Sequence, residues 1–211
     1  LSLQTHLSIF RTMTAMTMAR SMRYSSSMPA REAKKPVIYA GGGVIASSAA
    51  EELRQLGESL MCPVTTTLMG LGGFPAPHDL WLGMLGMHGT FRANMAVGHT
   101  DLLIAIGARF DDRVTGKLDE FAPSAKIIHI DVDPTSISKN VKVDIPIVGD
   151  CKDAMKKLLR LTEESPIADL EETRKPWLDQ IQKWKETYPL AYEQKGDQIK
   201  PQYVVEKIYE L

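Results

Sequence analysis

A short apolar run that stops on glycine and opens into charge constrains this chain more than any other stretch. Asp101 precedes it, Leu102, Leu103, Ile104 and Ile106 fill it, and Gly107 lets the backbone turn sharply. Arg109, Asp111, Asp112 and Arg113 follow at once. Read as a buried strand, the run places these charges just past its carboxyl end, where open α/β sheets bind ligands. For such a run taken alone, a solvated loop with two surface ion pairs is the competing reading.

The same pattern recurs along the chain. Residues 37–40 read as a buried strand and Gly41, Gly42 and Gly43 as the turn leaving it. A helix follows, with Ser48 and Glu51 at capping-box spacing and Ala49, Leu53, Leu56 and Leu60 as its apolar stripe. Residues 64–67 are β-branched and strand-like, and the Gly- and Pro-rich stretch 70–77 reads as irregular loop. Residues 81–88 lead into a helix near 91–97. Strands are expected at 126–131 and 143–148, and a helix at 152–161 with Ala154, Leu158 and Leu161 inward. Strands alternating with helices at this spacing predict an α/β fold with a doubly wound, mainly parallel sheet.

Two of these turns have a chemical reading beside a structural one. A glycine turn running into a helix N-terminus can hold a diphosphate through free N–H groups and the helix dipole; a triple glycine can equally be a tight turn and no more. Asp131, at the carboxyl end of its strand, suits the hydroxyls of a ribose or ribityl chain. It can also be a turn or cap residue before Asp133-Pro134-Thr135, which is turn chemistry. Met84, Leu85 and Met87 read as core, because methionine fills irregular gaps. His88 alone is a surface or satisfied-core residue.

Composition narrows the classes. The 211 residues carry a net charge of −1, and 44% are hydrophobic. That is enough for one domain with extensions. A near-neutral balance argues against a nucleic-acid partner, which usually needs a basic face, and no apolar run is long enough for a membrane span. Cys62 and Cys151 lie far apart without metal-ligand spacing, so buried free thiols in a reducing cytoplasm are expected. Beyond Thr162 the chain turns charged, with a narrow helical stripe of Trp177, Leu178, Ile181 and Trp184 that should pack on a neighbour. The body is therefore placed at 32–162, with 163–211 as a charged helical linker ending in the first helix of a further domain.

Five strings carry a resemblance. They are Lys34-Lys-Pro-Val-Ile-Tyr-Ala-Gly-Gly-Gly43, Pro63-Val-Thr-Thr-Thr-Leu-Met-Gly-Leu-Gly72, Leu85-Gly-Met-His-Gly89, Gly107-Ala-Arg-Phe-Asp-Asp-Arg-Val-Thr-Gly116 and His129-Ile-Asp-Val-Asp-Pro134. In order and spacing they resemble the catalytic subunit of acetohydroxyacid (acetolactate) synthase, over residues 32–211 and the middle of that subunit. The resemblance implies a thiamine diphosphate enzyme that condenses pyruvate with a second 2-keto acid in branched-chain amino-acid biosynthesis. It also implies that the central domain holds FAD as a structural rather than redox group.

Carried over position by position, the resemblance implies FAD contacts at Gly41, Gly42, Gly43, Thr67, Leu68, Leu85, Met87, His88, Gly107, Arg109, Asp111, Asp131, Val132, Gly149 and Asp150. It implies substrate contacts at Arg113 and Met87, with the Arg113 guanidinium meeting the second keto acid's carboxylate in a bidentate way. No catalytic residue and no metal ligand is expected in this chain. The family's essential glutamate and its Gly-Asp-Gly…Asn-Asn motif for Mg²⁺ lie in flanking domains, and Gly-Asp-Gly does not occur here. The implied partners are those missing domains, a second copy of the subunit, a regulatory subunit and small 2-keto acids. The chain by itself is expected to be inactive. A stand-alone FAD- or nucleotide-binding module is the alternative. An NAD-consuming enzyme on a related sheet would call for a four-cysteine zinc site that two cysteines cannot supply.

Residues 1–31 match neither the resemblance nor the rest of the chain. They hold no Asp or Glu, four arginines and five of the eleven methionines. An organelle transit peptide has such a composition. The reading adopted is an out-of-frame segment, because the chain starts at Leu1 and the family would place a polar helix before Lys34. Disorder without function is expected there, and a cytoplasmic location for the protein unless the segment is a transit peptide.

Overall fold

Along the first strand, Val37 and Tyr39 face one way and Ile38 and Ala40 the other, and all four are fully buried. A strand buried on both faces needs helices on both sides. The computed structural model describes residues 27–211. Its strands are β1 (Pro36–Ala40), β2 (Val64–Thr66), β3 (Trp81–Met84), β4 (Leu102–Ile106), β5 (Lys126–Asp131) and β6 (Ile145–Val148). They form one sheet in the order β3-β2-β1-β4-β5-β6 with every neighbouring pair parallel. The doubly wound sheet read from the sequence is the sheet observed.

The helices are α1 (Ser27–Glu32), α2 (Gly42–Ala46), α3 (Ala50–Leu60), α4 (Phe91–His99), α5 (Asp112–Thr115), α6 (Cys151–Glu164), α7 (Leu170–Thr187) and α8 (Pro201–Glu210). Leu53, Leu56, Ala154 and Met155 of α3 and α6 pack with Ile38, Ile104 and Ile128 on one face. Ala93, Ala96, Trp177 and Ile181 of α4 and α7 pack with Val37, Leu103 and Ile127 on the other. Each sheet face thus has its own core. Both cysteines are free and buried, as expected.

Three details differ from the sequence reading. β3 was not anticipated: Trp-Leu-Gly-Met has no β-branched residue, and Gly83 sits at φ +91 where a Cβ would lie 2.4 Å from Thr90. The Ser48–Glu51 capping box does not form. Ser48 instead takes φ +52 and its N–H donates to Ile45 O, so it closes α2, and α3 starts after Ala49 without a side-chain cap. The expected disorder of 1–31 falls mostly outside the described residues, yet 27–32 form α1. Its end is tied down, because the Arg174 guanidinium donates to the carbonyls of Ala30 and Ala33. The stripe on α7 packs on the body as expected: Trp177 and Ile181 are core and Trp184 lies against them, while no residue of α8 is buried.

Candidate functional site

The chain runs β1 to β3 toward one edge of the sheet, then returns to lay β4 to β6 toward the other. The reversal lies between β1 and β4, and a crevice opens at their carboxyl ends. A cleft of about 880 Å³ occupies that place. This lies within the range of roughly 300–1,000 Å³ typical of ligand cavities.

Glycine builds the crevice floor. A Cβ on Gly43 would lie 2.6 Å from Gly107 Cα, and one on Gly41 would lie 2.2 Å from Gly107 O. Gly107 also takes φ +56, the left-handed region that glycine enters without penalty. Gly41 N–H donates to Ile106 O and Gly43 N–H to Gly107 O, at 2.9 and 3.0 Å. Two of the three N–H groups thought free for a phosphate are therefore spent inside the protein. Gly42 and Gly43 line the cleft, whereas Gly41 stands behind them.

Charge gathers at one mouth of the cleft. Arg109, Asp111 and Arg113 all line it, and Arg109 and Asp111 are paired at 3.4 Å with both side chains exposed. Gly107, Thr67, Leu68, Asp131, Val132 and Asp150 also line it. Thr67 Oγ1 accepts from Gly70 N–H and so shapes the short 3₁₀ turn that presents Leu68. Asp131 is nearly buried; its Oδ1 accepts from Asp133 N–H at 2.8 Å, and His129 Nε2 lies 3.9 Å from its other oxygen. Asp133 closes the turn read from the sequence, and the hydroxyl of Thr135 holds its carboxyl below the usual range.

The other sequence-derived residues lie elsewhere. Leu85 is buried in the second core and does not line the cleft, which is the packing alternative. Met87 and His88 are exposed beside it, joined to the cleft by the backbone: Met87 N–H donates to Arg113 O at 3.2 Å. Gly149 N–H donates to Asp131 O. Asp150 reaches the cleft, but its carboxylate also caps α6 by accepting from Lys152 and Asp153 N–H.

Tyr39, Ser47, Met69, Ser136 and Cys151 line the cleft without having been foreseen. Only Tyr39 carried a signal, as the single polar side chain inside an otherwise apolar strand. The Cys151 thiol is pushed up to about 11 by burial first and by Asp150 next, so it sits there as an inert thiol.

A switch-point cleft floored by glycine contacts is common to many nucleotide-binding folds, and the geometry alone names no family. The sequence profile described as "Thiamine pyrophosphate enzyme, central domain" matches residues 31–158. The chain belongs to that family. It is 51% identical over 181 residues to the acetolactate synthase large subunit of Buchnera aphidicola from Schizaphis graminum, covering 85% of this chain and 31% of that protein. The isozyme 3 large subunit of Escherichia coli is 48% identical over 180 residues, again 85% of this chain and 31% of the relative. For Corynebacterium glutamicum the figures are 52% over 178 residues, 84% and 28%. The chain thus spans under a third of the acetolactate synthases it matches, over their central region. Among the described residues, no helix is long and apolar enough to cross a membrane, and no cluster of His, Cys, Asp and Glu could hold a metal ion.

Proposed function

We propose that this chain serves as the central domain of an acetolactate synthase large subunit, and that its cleft holds FAD and forms one wall of the substrate site. One observation carries the reading: Arg109, Asp111 and Arg113 converge with the Gly43–Gly107 floor on a single crevice at the sheet's reversal point. The residues present fit a flavin dinucleotide. Glycine at 43 and 107 lets the two turns that floor the cleft close on each other, and Gly42 and Gly43 line the space above them. Arg109 can meet a phosphate, while Asp131 can accept from ribose or ribityl hydroxyls. The buried hydroxyl of Tyr39 has no hydrogen-bond partner among the described residues and so asks for one.

Thiamine pyrophosphate, the cofactor in the family's description, supplies the electron sink that lets a 2-keto acid lose its carboxylate. The contribution of this chain is positioning. Arg113 would orient the carboxylate of the second 2-keto acid through paired N–H donors. The apolar rim formed by Leu68 and Met69 would keep water from that end of the cleft. In this reading the chain works with the remaining domains of its subunit, a second subunit and a regulatory subunit.

The test is a thermal-shift comparison of FAD, NAD and ADP on the 211-residue chain. A melting temperature that rises with FAD concentration and least with NAD supports the reading. Equal response to all three, or none by a folded chain, rejects it.

A further inference from the structure

Tyr39 stands in a row across the sheet. In register it faces Ala105 of β4, and Ala105 faces His129 of β5, so the three side chains share one face. Ala105 is small, and Phe110 lies over the gap, its ring 5.9 Å from that of Tyr39 and 5.1 Å from His129. His129 Nε2–H donates to Ala108 O at 3.0 Å and fixes the same loop from beneath. Tyr39 is therefore walled in by packing along its ring, while it also forms part of the cleft wall beside Asp111 and Arg113.

Its hydroxyl is fully buried and has no hydrogen-bond partner among the described residues. Some buried polar groups on the sheet are satisfied, as where Trp177 Nε1–H donates to Pro36 O and Thr65 Oγ1 to Gly83 O, whereas Thr66 Oγ1 and His129 Nδ1 also lack a partner. Of the described residues with an unpartnered buried polar atom, Tyr39 is the one that lines the cleft. A buried hydroxyl without a partner is costly, and a folded chain keeps one most readily where a ligand completes it.

We propose that the Tyr39 hydroxyl is a ligand-binding group at the base of the cleft, donating a hydrogen bond to an oxygen acceptor of a bound flavin dinucleotide. This rests on the proposed function. A buried phenol beside a carboxylate stays protonated, so it acts as a donor and brings no charge of its own. It recognises where an oxygen lies rather than how much charge it carries.

The experiment is Tyr39→Phe in the 211-residue chain, with FAD, FMN and ADP each titrated against wild type and variant, alongside melting without ligand. The substitution keeps the ring and removes only an unsatisfied atom, so the ligand-free variant should melt at the wild-type temperature or above it. FAD affinity should fall roughly 3- to 10-fold, the loss of one neutral hydrogen bond. A matching loss for FMN places the acceptor on the flavin half, and for ADP on the adenylate half. Unchanged FAD affinity together with unchanged or raised melting overturns the proposal and leaves Tyr39 a core residue. If the folded wild-type chain binds none of the three, the proposed function fails and the Tyr39 assignment falls with it; if wild type binds and the variant binds equally, only the Tyr39 assignment fails.

Discussion

Gly43 and Gly107 meet back to back, so that a Cβ built on either would lie 2.6 Å from the other's Cα. This contact joins the turn after β1 to the turn after β4 and sets the depth of the cleft between them.

Alanine at either position must push backbone against backbone. Gly107→Ala adds the cost of φ +56, about 1–2 kcal/mol, to an overpacking cost of roughly 1–3 kcal/mol. Gly116→Ala is the control: it shares φ +56 but meets nothing within 4 Å, so it should cost only the conformational part. Urea unfolding should rank Gly107→Ala well below Gly116→Ala in stability. Equal midpoints would mean the close contact carries no load.

Trp177 ties α7 to the start of β1, its indole donating to Pro36 O at 3.1 Å across 141 residues of sequence. Its ring is buried in the second core together with Ile181. Trp177→Ala should therefore cost about 3–5 kcal/mol. Val205→Ala, on the uncovered face of α8, should cost nearly nothing. If both variants unfolded at the wild-type urea concentration, the α7 stripe would add nothing to the stability of the core.

His129 gives the fold a pH dependence. Burial holds its pKa below the ordinary 6.5, outweighing Asp131 and the Ala108 carbonyl, which pull it upward. The unfolded chain takes up the proton near 6.5 while the folded chain still refuses it, so the unfolded state binds more protons. Stability must then decline as pH drops through 6.5, until the folded-state pKa is reached. His129→Gln cannot titrate and should show a shallower decline between pH 6.5 and 5 in urea midpoints. Identical slopes would place the dependence on other groups.

The sheet was legible chiefly from β1 and β4, which are buried along their whole length and are each followed at once by glycine, Gly41 and Gly107. β3 was not, because Gly83 and Thr90 create that edge strand through a contact seven residues apart. The capping-box spacing at Ser48 and Glu51 misled because an extra short helix consumes Ser48 in its closing turn. In the cleft, charged residues after a strand announced themselves, and Arg109, Asp111 and Arg113 converge as their position suggested. Leu85 packs in the core, the reading its residue type had offered beside the one the resemblance implied. Tyr39 offered the sequence only its polarity within an apolar strand; that its hydroxyl lacks a partner depends on its neighbours.

The most direct test of the account is fluorescence quenching of FAD by the chain, wild type beside Arg109→Ala. Arg109 is exposed at the cleft mouth, so its removal should leave the fold intact. The account predicts saturable quenching by wild type and an affinity at least about tenfold lower in the variant, the loss of one charge-assisted hydrogen bond. A folded wild-type chain that leaves FAD fluorescence unchanged, or a variant that binds equally well, would contradict it.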